Sequence, residues 1–256
     1  MSLNLESMRA KLNASKNGTK ANSKNSTMWR PKAGDQTIRI VPTKDGDPFR
    51  EFQFHYNVGK NPGIYCNKRN DNGECAICDF ASKLWRDGVE SDDNTLKNEA
   101  KKLFARKRYY SPVMVRGSEA EGVKIWAYGK TAYETLLGYV LDPDYGDITD
   151  PETGTDIKLT YSVPGTPGSF PKTNLQPRRR PSVLCDETIA DCQELLDSVP
   201  EIDGLFDRKT SEQIQECLDG YLSSDSSAEG SSSETTQYKK PSGDVDQAFA
   251  AFMKNE

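Results

Sequence analysis

The sequence predicts an α+β fold that is mainly β in its core: a small Greek-key barrel of short strands, with a metal-binding loop inserted and helices on its flanks. Three observations point there. Short period-two segments recur between residues 36 and 163. A histidine and three cysteines fall at metal-ligand spacing inside that series. Helical periodicity is confined to stretches beside the metal loop and after the last strands.

The elements follow in order. Residues 3–14 carry Leu3, Leu5, Met8 and Leu12, the narrow apolar stripe of a short helix. Residues 15–27 are rich in Ser, Asn, Lys and Gly and read as a linker. Gln36 to Val41 alternates like a strand and stops at Pro42. Phe52, Phe54 and Tyr56 continue the alternation. Residues 79–106 read as two helices broken at Asp92-Asp93-Asn94. Tyr109 to Val115 reads as a strand at a sheet edge, because it contains Pro112. Val123 to Tyr128 is another strand, and Thr131 to Leu141 a helix. Ile148-Thr149 and Ile157 to Val163 read as a hairpin around Pro151-Glu152-Thr153-Gly154. Residues 164–177 read as a long loop, 186–221 as helical, and Ser223 to Ser242 as Ser-rich disorder. The predicted domains are therefore a basic arm and linker over 1–27, a core over 28–221 with its metal subdomain at about 52–105, and an acidic tail over 222–256.

Composition agrees with partial disorder. Hydrophobic residues are 34% of the chain, and its 19 glycines still leave it below the usual ~45–50% for globular domains. No run approaches the roughly 20 apolar residues of a membrane span, so no membrane partner is expected. The net charge of −5 is unevenly spread. Residues 1–32 hold seven Lys/Arg against Glu6, whereas residues 219–256 hold seven acids against three lysines. A basic arm with an acidic tail suits a polyanion binder carrying its own competitor.

His55-x10-Cys66-x8-Cys75-x2-Cys78 is the most specific motif. Three sulfurs and one imidazole complete a tetrahedral Zn2+ shell with no open position, which is structural rather than catalytic. The alternatives are a buried histidine among unrelated thiols, or a redox C-x-x-C, which would want a strand-to-helix context. Cys185, Cys192 and Cys217 lack metal spacing and read as free thiols in a reducing compartment. His55 is the only histidine, so ligation leaves none for a Cys–His nucleophile, and no enzyme is expected.

Arg106-Lys107-Arg108 sits directly against Tyr109-Tyr110. On the next strand Lys124, Trp126 and Tyr128 share one face, with Lys130 following. Cations beside aromatics fit single-stranded nucleic acid: bases stack on rings while cations follow phosphates. The other reading is an ordinary strand with core aromatics. Phe170, flanked by Lys172 and Arg178-Arg179-Arg180, reads as a flap over that groove or as a solvated basic loop. Barrels of the OB type often host such ligands.

The metal spacing, the Arg106–Tyr110 segment, Trp126-Ala127-Tyr128-Gly129-Lys130 and Trp29-Arg30-Pro31-Lys32 together resemble the single-stranded DNA-binding, helix-destabilising replication proteins of large tailed bacteriophages, over roughly residues 28–185. The resemblance implies an OB-fold-like barrel with an inserted zinc subdomain, ligated by His55, Cys66, Cys75 and Cys78. It implies Arg106, Lys107 and Arg108 as the basic cluster, and Tyr109, Tyr110 and Trp126 as groove aromatics. It further implies self-association through the N-terminal arm and recruitment of replication partners (polymerase, primase, helicase loader) through the tail. Action in DNA replication, recombination and repair in the cytoplasm of an infected bacterial host would follow. Where the family has two Ser/Thr after its basic triplet, this chain has two tyrosines. A zinc-containing RNA-binding regulator is the alternative, distinguished by use of the 2′-hydroxyl.

Overall fold

The structure is a computed structural model that describes residues 27–59, 61–163, 170–185, 189 and 191–226. The expected helix at 3–14, most of the linker and most of the tail lie outside these residues. The chain divides into two compact units, one from Met1–Glu51 and Tyr109–Leu205, the other from Phe52–Arg108 and Phe206–Glu256. The fold is α+β with a mainly β core, and β3 (Arg50–His55) and β5 (Arg106–Val115) each run through a boundary.

In the first unit the strands are β1 (Met28–Trp29), β2 (Gly34–Ile40), β5, β6 (Lys124–Tyr128), β7 (Ile157–Ser162) and β8 (Lys172–Pro177). They lie in the order β1-β6-β5-β2-β7-β8. β1 is parallel to β6, and the other neighbours along this order are antiparallel. In β2, period two sends Ile38 and Ile40 to one face and Arg39 to the other. Register places Ile40 opposite Val113 and Ile38 opposite both Val115 and Ile157. The inner face buries Ile38, Ile40, Val113, Trp126, Ile157 and Leu159 against Leu136 of a helix, Lys130–Leu141. Each such burial contributes about 1.5–3 kcal/mol.

On the other face, Arg39 is 0% exposed. A buried guanidinium needs partners. It donates to Asp156 Oδ1 at 3.3 Å, Ser182 Oγ at 3.2 Å, and the carbonyls of Asp150 and Ser182 at 2.7 and 2.8 Å. Gly154 is obligatory here, since a Cβ would lie 2.5 Å from Asp150 O and 2.8 Å from Arg39 Nη2.

The second unit holds the rest of β3, then β4 (Ile64–Tyr65), α1 (Asn67–Asn70), α2 (Ala76–Glu90), α3 (Asn94–Leu103) and, after the first unit's helices α4 (Lys130–Leu141) and α5 (Cys192–Asp197), α6 (Ser211–Ser226). α2 buries Ile77, Cys78, Phe80, Ala81, Leu84 and Gly88, one helical face. Asp93 caps α3, accepting from Thr95 N at 2.6 Å. Gly88 allows the close approach of α3: a Cβ there would lie 3.0 Å from Leu96 Cβ and Lys97 N. Ile214 and Leu218 of α6 complete this core.

Several expectations are corrected. β5 is not an edge strand, for it lies between β6 and β2. Its ladder to β2 ends at Val113, and there only the Pro112 carbonyl is used, accepting from Val41 N. Ile148-Thr149 is not a hairpin arm. Asp147 and Asp150 side chains accept from the backbone N–H groups of Thr149, Glu152 and Thr153 and fix turns instead. The long loop contains β8, whose ladder to β7 runs from Lys172 to Pro177. The helical stretch 186–221 is interrupted: α5 and α6 are separated by residues 198–210, and α6 runs on to Ser226, past the expected start of the tail at 222. Cys185 and Cys192 are joined as a disulfide rather than free, with Cα atoms 5.6 Å apart; Cys217 is free.

Candidate metal centre and nucleic-acid interface

The metal candidates converge because two strands end and one helix begins there. His55 closes β3 opposite Ile64 of β4, and Cys66 directly follows β4. The Asn70 side chain holds the turn by donating to the carbonyls of Cys66 and Gln53, both at 2.9 Å, and accepting from Gln53 N. Asn72, at φ 56°, takes the left-handed conformation that reverses the chain. Cys75 then stands at the N-cap position of α2 with its sulfur left to the cluster, and Cys78 lies in the helix's first turn.

All four side chains are buried, and their ligand atoms lie within 4.8 Å of one another. Cys66 Sγ is 3.4 Å from Cys78 Sγ, and His55 Nε2 is 3.3 Å from Cys75 Sγ and 3.5 Å from Cys78 Sγ. A tetrahedral ion with metal–sulfur bonds of about 2.3 Å has ligand–ligand edges of about 3.8 Å, so the quartet fits one ion with small outward movement. His55 Nδ1 is 2.7 Å from Leu103 O. A carbonyl only accepts, so Nδ1 carries a proton, which leaves Nε2, directed at the sulfurs, as the nitrogen that would bind a metal on releasing its own proton. Burial alone would push His55 down, but the Cys66 and Cys75 sulfurs and the Leu103 carbonyl raise it to about 10. Hydrogen bonds from Cys75 and Cys78 drive the Cys66 thiol far down, while Cys66 and Cys75 push Cys78 far up. The groups thus share protons at close range, and an ion bound among them would displace those protons. The arrangement can hold an ion and leaves no ligand position for substrate.

The nucleic-acid candidates separate into two groups. Arg106, Lys107 and Arg108 are all exposed at the start of β5. Sequence reasoning missed Tyr56 beside them. It is half-buried, and burial raises its phenol while Arg108, through charge and a hydrogen bond, and Arg106 lower it. Its only sequence signal was the Phe52-Phe54-Tyr56 alternation. The nearby rings of Phe52, Phe54 and Tyr65 pack against Phe206 at 4.9, 5.0 and 6.5 Å.

The proposed stacking platform is corrected. Trp126 is 1% exposed, its ring 6.2 Å from Trp29 and 4.4 Å from Tyr128. Tyr109 lies flat on Tyr133 at 3.9 Å, and Tyr128 hydrogen-bonds Ser111 at 2.6 Å. Tyr110 is buried as well. Lys124, Trp126 and Tyr128 do share a face, but it is the core face. Lys124 is largely covered and pairs with Glu121 at 3.7 Å, and Lys130 pairs with Glu134 at 3.3 Å. Phe170 is 85% exposed. No helix among the described residues is long and apolar enough to cross a membrane.

A comparison with curated proteins found no match. A family model described as gp32 DNA binding protein like matches residues 32–219, spanning the metal quartet, the Arg106–Arg108 cluster and every strand but β1. With most of its length matched, and with a buried cluster of one histidine and three cysteines set in an OB-like α+β core, the chain belongs to the gp32-like DNA-binding protein family.

Proposed function

We propose that this protein binds single-stranded DNA without sequence preference, coating and protecting it during phage DNA replication, recombination and repair. The observation that carries the reading is the run of three exposed cations, Arg106, Lys107 and Arg108, in a chain of a DNA-binding family. Cations of this kind engage phosphates and read no sequence. Tyr56, half-buried beside Arg108, offers a ring for base stacking, and the exposed Phe170 offers another on the first unit. Tyr109, Tyr110, Trp126 and Tyr128 serve by shaping the strands that present the cations. The buried quartet holds one Zn2+ as a structural ion, and the protein acts without catalysis. Self-association through the basic arm and recruitment of replication proteins by the acidic tail, in the host cytoplasm, complete the reading; the charge polarity of the chain supports both.

The test is titration with poly-dT over a salt series, with duplex DNA as competitor. Tight, salt-sensitive binding that duplex fails to displace is expected. Equal preference for duplex, or binding that salt leaves unchanged, overturns the proposal.

A further inference from the structure

We propose that the first unit carries a second, separate phosphate-backbone site: a cleft of about 710 Å³ lined by Arg116, Lys158 and Arg178-Arg179-Arg180, taking the phosphodiester backbone of single-stranded nucleic acid. The inference rests on the DNA-binding reading above and adds a contact region that the Arg106–Arg108 cluster does not include.

Five cations line the cleft against a single carboxylate, Asp156. That carboxylate is already engaged. Arg116 binds it in a fork, Nε at 3.1 Å and Nη2 at 3.0 Å, and Arg39 reaches it at 3.3 Å. Lys158 is met by Asp35 at 2.7 Å. No lining acid remains for Arg178, Arg179 and Arg180, all three exposed. The arginine run is nonetheless held in place. Arg178 N donates to Asp156 O at 2.8 Å, and Arg178 Nη2 to Thr37 Oγ1 at 2.9 Å. Downstream, Arg116 donates to the carbonyls of Val183 and Leu184, and Arg39 to that of Ser182. The buried Arg39 and the largely covered Arg116 thus fix the backbone beside which exposed guanidiniums are displayed, so little ordering cost falls on binding.

The lining chemistry selects the ligand. Guanidinium forks match phosphate oxygens. The cleft has no aromatic residue, so it stacks no base and reads only backbone charge. Pro177 and Pro181 are its main apolar surface, which gives no seat to the phenylalanines of an acidic-hydrophobic peptide such as residues 244–253 of this chain.

The experiment compares full-length wild type, R179A/R180A and R106A/R108A in poly-dT titrations across salt. The first double variant spares Arg178 and its anchor. Losing two phosphate contacts is expected to flatten the log K–log[salt] slope by about 1.4, so that the affinity loss shrinks about sevenfold between about 50 and about 200 mM salt. R179K/R180K should keep most of the slope. Unchanged or increased affinity of R179A/R180A overturns the proposal, as does a loss that is the same at every salt concentration. If R106A/R108A weakens binding while R179A/R180A does not, this second site alone fails. If wild type binds no single strand, the DNA-binding reading fails and takes this site with it.

Discussion

His55 and Leu103 are 48 positions apart, yet the imidazole Nδ1 donates to the Leu103 carbonyl at 2.7 Å. The end of α3 therefore sets the tautomer of a ligand delivered by β3. Ligand orientation and helix packing are one structure, so the metal and the stability of the second unit should be lost together.

Zinc analysis of the purified protein should give one equivalent per chain. Cys78→Ser should lose it and lower the melting temperature, because an ion held by four buried side chains of this core would bind the folded chain and not the unfolded one. Chelation of wild type should give the same shift. A metal-free wild type with unchanged melting would sink the claim.

Arg108→Ala should weaken binding to all single-stranded sequences alike, flattening the salt slope by about 0.7 per lost phosphate contact. Tyr56→Ala should instead cost about 1–3 kcal/mol with the slope retained, as expected of a stacking ring. Unequal losses across homopolymers for Arg108→Ala would contradict a phosphate role.

Trp126→Ala should act through the fold. Removing a ring 1% exposed costs about 3–5 kcal/mol of stability. Trp126→Phe should restore much of that. A Trp126→Ala protein with normal thermal stability and weak DNA binding would return the residue to the binding surface.

Alkali should unfold the first unit. Burial, then Glu51, pushes Tyr109 up to about 12, and burial raises Tyr128 despite its Ser111 hydrogen bond. In both, the fold favours the neutral phenol. Their contribution is full below the ordinary phenol value near 10 and is lost as pH rises through the elevated folded value. Circular dichroism across alkaline pH should show unfolding accompanied by late phenolate absorbance, and Tyr109→Phe should move the transition upward. Complete phenolate formation near pH 10 in the folded protein would refute this.

The metal quartet was legible because ligand chemistry is confined to a few residue types and its spacing survives folding. α2 and α3 were legible because helical periodicity runs on both sides of the Asp92-Asp93-Asn94 break, where Asp93 proves to cap α3. β8 was not, since Leu175 is its one buried residue and its pairing is backbone work that side-chain patterns do not record. The Trp126 error has a physical source. Alternation says which residues share a face, and only the fold says that this face meets Leu136 and Ile157 rather than solvent. The Cys185–Cys192 disulfide left no trace in spacing, as nothing in the seven-residue separation distinguishes it from two free thiols.

The core around the metal ligands is closed by Ile214 and Leu218, which are synthesised more than a hundred residues after Cys78. On a ribosome, β3 to α3 emerge well before α6 and wait uncovered while residues 109–205 of the first unit are made. Ion capture by the early segment can staple its strands and helices, but the apolar surface that α6 covers stays open to water until translation is nearly complete. The second unit is therefore most vulnerable to aggregation and proteolysis on the nascent chain, in an interval that slow translation of residues 109–205 lengthens.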